Sequence, residues 1–281
     1  MSFAVEKISA DISEEEFRRK YAIPGKPVII TGGIEHWPAR KTWSLDYFEH
    51  KFPEKKVNFS GKTWTMREFV QQLRSGASPQ PYLNQVKLKE QFQELFRDVG
   101  DLKFTRCNAL NSPLLLPSMR IGRGISALFI GTAGSGFGKL HWDYSYLHVY
   151  ISQIRGRKNF VVYAPSDSEF LYPKREYPAD SSIPDINHFN VEDYPNLKKA
   201  TPIRFTAEEG ETAFIPAGWW HATQMDELSI SIAESALGQS NWKLRYEWYL
   251  DSYRSKGVPA AKLKILSAYM KMTGLIAAPR G

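Results

Sequence analysis

Three side chains in this sequence are of the types that share one metal ion. His141-Trp-Asp143 sets an imidazole and a carboxylate two residues apart. On a β-strand, positions i and i+2 face the same side. His221 comes much later, directly after Phe214-Ile-Pro-Ala-Gly-Trp-Trp220, which reads as a strand closed by a Pro-Gly turn. A barrel brings two such distant strands together. Two histidines and one carboxylate on one face of an ion leave three octahedral positions open, as in non-haem Fe(II) sites that must admit O2 and an organic co-substrate. Each half of the pattern is weak alone, since a His-x-Asp pair is also a common hydrogen-bonded surface pair. Spacing by itself leaves Zn(II), or no metal at all, as alternatives.

Lys158 adds a second constraint. It follows the Arg155-Gly156 turn and begins the run Lys-Asn-Phe-Val-Val-Tyr163. A cation pointing into an apolar barrel is costly unless paired. A dicarboxylate co-substrate supplies the partner. Its 2-oxo acid end chelates a metal in two open positions, and its distal carboxylate takes a charge-assisted hydrogen bond from Lys158. Without the metal motif, Lys158 reads as a surface lysine in a hairpin.

The elements that must position these groups are legible in outline. From about Ser126, short β-branched and aromatic runs recur: Leu128-Phe-Ile, Leu147-His-Val-Tyr-Ile, Phe160-Val-Val-Tyr, Ile203-Arg-Phe, Thr212-Ala-Phe-Ile and Leu228-Ser-Ile-Ser-Ile. Gly, Pro, Asn or Asp separate them, which argues for an all-β sandwich or barrel. Most neighbours lack a crossover helix between them, which disfavours a parallel α/β sheet. Before the barrel, residues 12–20 read as a helix capped by Ser13 with Glu16 as capping-box partner. Pro27–Thr31 reads as a strand, and helices follow over Trp43–Phe52, from Thr65 to Gly76, and over Leu88–Val99. The Pro-, Asp-, Asn- and Tyr-rich stretch Tyr172–Ala200 reads as a functional insertion or a cover over a site. After Asn241 two helices close the chain, the second over Ala261–Ile276, and either pad the barrel or pair with a second copy. The expected divisions are 1–125 for the N-terminal helical and strand region, 126–238 for the β core and 239–281 for the terminal helices.

Composition narrows the partners. The 281 residues are 42% hydrophobic and 24% charged, as in ordinary globular domains. No apolar run is long enough to span a membrane, and the first twenty residues lack a signal-peptide pattern. Cys107 is the single cysteine, so no internal disulfide forms, which suits a cytoplasmic protein. A net charge of +7 favours acidic partners, nucleic acid included. The lysines and arginines are scattered, however, with no polybasic tail.

Taken together, these motifs resemble the Jumonji-C (JmjC) oxygenases, in their small cupin-like, asparaginyl-hydroxylase-type branch. Pro24-Gly-Lys-Pro-Val-Ile-Ile-Thr-Gly-Gly-Ile-Glu-His-Trp-Pro38 is similar to the family's N-terminal signature. Trp43 and Phe48 follow as expected, and Gly210–His221 is similar to its last ligand strand. The resemblance covers nearly the whole chain. It implies a mainly β, double-stranded β-helix (cupin or jelly-roll) barrel with flanking N-terminal helices and a C-terminal helix pair that dimerises. It implies Fe(II) at His141, Asp143 and His221, with 2-oxoglutarate and O2 as co-substrates and succinate and CO2 as products. It places Lys158 on the distal carboxylate, with Tyr82 and Ser231 nearby. Two departures stand out: Gly138 where relatives often carry Thr or Ser, and Ala233 where many carry Asn. Tyr146, His148 and Tyr150 are the expected replacement donors, and Gly138 is expected to open space for an unusual substrate. Trp142, Tyr144, Tyr146 and Trp220 either line an aromatic mouth or pack the barrel. The substrate this implies is a protein or peptide side chain, since no zinc finger or chromatin module is evident. The alternatives are a modified nucleoside in RNA and a non-catalytic metal-binding module.

Overall fold

A computed structural model describes residues 5–59, 61–76, 80–106, 108–116, 119 and 126–277; Cys107 lies outside the described residues. In chain order the strands are β1 Glu6–Ser9, β2 Val28–Thr31, β3 Lys56–Phe59, β4 Lys62–Thr65, β5 Leu83–Lys87, β6 Ala127–Gly131, β7 Gly136–His141, β8 His148–Gly156, β9 Lys158–Tyr163, β10 Ile203–Ala207, β11 Thr212–Ile215, β12 Trp220–Gln224 and β13 Ser229–Ala236. The α-helices are α1 Glu14–Phe17, α2 Ala39–Thr42, α3 Leu45–Lys51, α4 Met66–Ser75, α5 Leu88–Gln91, α6 Gln239–Ser255 and α7 Ala260–Ala277.

The strands form the expected jelly roll. A seven-stranded sheet runs β1-β2-β11-β8-β13-β6-β5 and a four-stranded sheet runs β10-β9-β12-β7, with β3-β4 as a separate hairpin. Val149, Ile151, Phe160, Val162, Ala213 and Ile215 fill a shared layer contributed by both sheets, as in sandwich packing. The N-terminal region is continuous with the barrel, because β1, β2 and β5 extend the larger sheet. Its Trp37, Trp43, Phe48 and Phe69 pack in one cluster with Ile130, Ile154, Phe214 and Ile232 of that sheet.

Local chemistry explains where the helices start and stop. Thr65 and Glu68 form a reciprocal capping box at α4, and Gly76 ends the helix in the left-handed conformation, as glycine does at a helix C-terminus. Ser44 caps α3 by accepting from the Tyr47 amide. Ser13 caps α1 through the Glu16 amide at 3.0 Å. The expected capping box is absent there: the Glu16 carboxylate turns to Lys20 at 2.5 Å, and the helix continues as a π-turn through Ala22. The helix expected over Leu88–Val99 is also corrected. Phe92, at φ −137°, breaks it into the single turn α5 and a 3-10 turn over Gln93–Arg97. Burying Phe92 and Leu95 in the core outweighs continuation of a helix whose other face is polar.

Two further elements bear on the site. Residues 172–200 cover the free edge of β7: the Trp142 amide donates to the Ala179 carbonyl at 2.9 Å, the Ser181 amide to Leu140 at 2.9 Å and the Ile186 amide to Gly138 at 2.8 Å. Leu171, Ile183, Ile186 and Leu197 anchor this cover against Leu140 and Trp220. At the C-terminus α6 packs on α7, with the Trp242 indole donating to the Met270 carbonyl at 3.0 Å. The outer side of α7 leaves Ile265, Met272, Leu275 and Ile276 exposed. No helix among the described residues is long and apolar enough to cross a membrane.

Candidate metal centre

Antiparallel pairing sets His141 of β7 directly opposite His221 of β12. Their ring centroids lie 4.3 Å apart. Each Nδ1 rests against a backbone carbonyl, His141 on Lys139 at 2.9 Å and His221 on Trp219 at 3.1 Å. A carbonyl only accepts, so Nδ1 carries the proton and Nε2 keeps its lone pair for a metal. Asp143 completes the group, with Oδ2 at 4.0 Å from His221 Nε2. One ligand atom from each of the three lies within 4.8 Å of the others.

The route to this geometry differs from the strand argument. β7 ends at His141, so Asp143 is not the next same-face strand residue. It opens a turn closed by the Tyr146 amide on the Asp143 carbonyl at 3.2 Å, with Ser145 and Tyr146 at φ 69° and 53°. The carboxylate reaches the histidines through that turn.

Electrostatics suit a cation. Burial pulls the His221 imidazole down to about 4. Burial, reinforced by the neighbouring His221, lowers His141 as well. Both are therefore neutral near pH 7, the form that ligates. Burial pushes the Asp143 carboxyl upward, although 31% of its side chain stays accessible. Three donors of which two are neutral imidazoles, with an open side, fit a divalent ion such as Fe(II).

The three ligands line a cavity of about 230 Å³. Its walls include Phe129, Phe137, Val149, Ile151, Ala222 and Ala233, and its polar groups include Tyr82, Asn84, Lys158 and Thr223. Lys158 is 2% exposed and donates to Ser231 Oγ at 2.6 Å. Its ammonium also lies 5.0 Å from the Phe129 ring centroid. Burial lowers it to about 7. A buried lysine whose partners are a hydroxyl and a ring face is poised for an anion. Burial raises the Tyr82 hydroxyl above its ordinary pKa, and Thr223 lines the same cavity. Thr223 and Asn84 went unread in the sequence. Asn84 precedes a residue at positive φ, Gln85, and its Oδ1 is buried with no hydrogen-bond partner among the described residues. That amide stands in the pocket where Ala233 offers none.

Three expected donors are corrected. Val149 and Ile151 of β8 face the cavity, so alternation turns His148 and Tyr150 to the other face. Tyr150 packs there against Phe17 and Phe214. His148 accepts from the Ala217 amide at 3.0 Å and meets Ser240 at 2.8 Å. Tyr146 stacks on Trp142 at 4.5 Å, outside the cavity lining. Gly138 opens no space either, because a Cβ there would overlap the Asp185 carboxylate of the covering segment. Trp220 is a packing residue, 1% exposed, with its indole donating to Ser168 at 2.9 Å. Tyr144, 59% exposed, lies edge-on to Trp248. A second cavity, about 610 Å³, shares Ser235 with the first and is lined by Glu234, Ser126, Thr105 and Arg106 among others.

Comparison with known proteins agrees with this geometry. Residues 45–235 match the model of the cupin-like domain family. The chain is 31% identical over 247 residues to the lysine-specific demethylase JMJ30 of Arabidopsis thaliana, covering 82% of this chain and 54% of that protein. It is 29% identical over 239 residues to lysine-specific demethylase 8 of Xenopus tropicalis, covering 79% and 50%. It is 25% identical over 299 residues to tRNA wybutosine-synthesizing protein 5 of Gallus gallus, covering 95% and 88%. The chain thus spans about half the length of the two demethylases.

Proposed function

Because the chain belongs to the cupin-like, JmjC-type domain family, we propose that it is an Fe(II)- and 2-oxoglutarate-dependent oxygenase that hydroxylates an unactivated C–H of a protein or peptide side chain. One observation carries the reading. The His141, Asp143 and His221 ligand set and the buried Lys158 line the same small cavity. A zinc hydrolase needs the triad but has no use for a buried ammonium in the same pocket.

When bound, Fe(II) supplies the activation of O2 that couples decarboxylation of 2-oxoglutarate to C–H oxidation. The chain's own residues do the rest. His141 and His221 offer Nε2 because Lys139 and Trp219 fix their tautomers. Asp143 offers the charge that makes the site select a divalent cation. Lys158, steadied by Ser231, binds and orients the distal carboxylate, and Tyr82 and Thr223 extend that contact. The apolar side chains of Phe129, Phe137, Val149 and Ile151 line the cavity and lower the local dielectric, which strengthens each polar contact within. The relatives named as lysine demethylases support a protein side chain as substrate. On an N-methyl carbon, hydroxylation is also the first step of demethylation.

A second reading, oxidation of a modified nucleoside in RNA, is favoured by the +7 net charge and by the near full-length similarity to tRNA wybutosine-synthesizing protein 5. We also propose a homodimer through α6 and α7, since the exposed apolar residues of α7 are what a partner helix pair would cover.

The test is turnover. The protein with Fe(II), 2-oxoglutarate and ascorbate is expected to release succinate, more so with its substrate, and a +16 Da product in a peptide library identifies a protein target. A +16 Da product in tRNA with no peptide product favours the second reading, as does retention on RNA that salt abolishes. Absence of succinate under all conditions contradicts the oxygenase.

A further inference from the structure

Helix α6 buries an arginine among neutral groups. Arg245 is 2% exposed. Its Nη1 donates to the Ser145 carbonyl at 3.2 Å and to Ser145 Oγ at 2.6 Å, and its Nη2 to the Tyr249 hydroxyl at 3.2 Å. Its guanidinium also sits 5.0 Å from the Tyr249 ring centroid. A guanidinium out of water with no charge to balance it is costly.

Two of the three hydrogen bonds, both from Nη1, converge on the turn that carries Asp143. Ser145 and Tyr146 are successive non-glycine residues at φ 69° and 53°. The left-handed conformation is strained for L-residues and persists only where its surroundings over-determine it. Here the restraints are visible. Arg245 grips both acceptors of Ser145, Asn241 Nδ2 donates to the Tyr146 carbonyl at 2.9 Å, and the Tyr146 ring stacks on Trp142 at 4.5 Å. Asn241 cannot wander, because its Oδ1 accepts from the Gly238 amide at 2.8 Å and it is fully buried. All three restraints act within three residues of Asp143, which lies past the end of β7 and has no ladder partner to fix it.

We propose that Arg245, seconded by Asn241, is a positioning residue for the metal ligand Asp143: it holds the strained 143–146 turn so that the carboxylate faces His141 and His221. The inference rests on the metal-centre reading above. It ties the C-terminal helices to metal affinity, although they contribute no ligand.

Mn(II) is the probe, titrated into full-length apoprotein and followed by the loss of its free-ion EPR signal. Relative to the unaltered chain, Arg245→Met is expected to weaken Mn(II) about 10- to 100-fold, the usual effect of losing an outer partner of a ligand. Arg245→Lys keeps a charge but not the fork, and is expected to fall between the two. Ser145→Ala, which removes one acceptor with little else, is expected to weaken Mn(II) about 3- to 10-fold. Melting is recorded in parallel. An arginine that merely stabilised the helix would lower the melting temperature and leave Mn(II) affinity of the folded protein unchanged. Folded Arg245→Met binding Mn(II) within two-fold of the unaltered chain overturns the proposal. If Arg245→Met does not fold, Ser145→Ala decides, and affinity within two-fold overturns it. An unaltered chain that binds no Mn(II) is a different failure, that of the metal centre itself.

Discussion

Replacing Lys158 by Met separates its role in binding from any role in folding. The side chain is 2% exposed and its ammonium rests on Ser231 Oγ at 2.6 Å. A carboxylate that meets it is equally removed from water. Taking one partner from such a buried pair costs about 3–5 kcal/mol, because the other charge is left alone. At about 1.4 kcal/mol per decade, the Kd for 2-oxoglutarate rises roughly 100- to 4,000-fold. The Ser231 hydroxyl remains to donate one neutral hydrogen bond, which offsets about 1 kcal/mol and favours the lower end. Stability moves the other way. Burial lowers the folded-state pKa of Lys158 to about 7, so between that value and its ordinary one the unfolded chain holds more protons. Stability therefore rises with pH across that window and is lost below it. Met removes this dependence, and the variant is expected to melt at the same temperature or higher at pH 7. Calorimetry of 2-oxoglutarate binding to the Mn(II)-loaded protein, with a thermal melt alongside, reads both effects. An affinity within five-fold of the unaltered protein, or a collapse in melting temperature with affinity retained, would refute the carboxylate role.

The same lysine makes binding pH-dependent: 2-oxoglutarate affinity is expected to be flat below about pH 7 and to fall about tenfold per unit above it, as Lys158 must be protonated on binding. Calorimetry at pH 8 in buffers of different ionisation heat should show proton uptake, and a flat profile to pH 9 sinks this. Tyr150→Phe should leave 2-oxoglutarate affinity unchanged, whereas Tyr82→Phe should weaken it about 3- to 10-fold for one lost hydrogen bond; the reverse ranking would return Tyr150 to the pocket. Gly138→Thr is expected to destabilise by about 1–3 kcal/mol, as overpacking does, by displacing Asp185 from β7, with no gain in co-substrate affinity. A melt showing no change, or partial loss not relieved by adding Asp185→Ala, counts against that contact.

Much of the centre was legible because its logic is local. His141 and His221 are flagged by residue type and by the turn chemistry of Pro216-Ala-Gly218, and Lys158 by a cation opening an apolar strand. The barrel was legible from short β-branched runs. Other features are tertiary and leave little trace in sequence. Alternation says that Tyr150 and Val149 face opposite ways, but which faces the metal depends on the partner sheet. Asp143 reaches the site through left-handed residues that α6 enforces from a hundred positions later, and neither Ser145 nor Tyr146 announces such a turn as glycine would. Asn84 sits on a strand with weak apolar alternation, and its only signal was its place two residues after Tyr82. Phe92 looks like one more helix residue until the core that it fills is known.

The central claim is that His141, Asp143 and His221 hold one Fe(II) in the cavity where Lys158 holds 2-oxoglutarate. An anaerobic titration followed by visible absorption tests it most directly. The account expects one Fe(II) bound per chain and a charge-transfer band that appears only when Fe(II) and 2-oxoglutarate are both present, that His141→Ala abolishes, and that Lys158→Met shifts to far higher 2-oxoglutarate concentration. Failure to bind Fe(II), or a band that persists unchanged in His141→Ala, would contradict it.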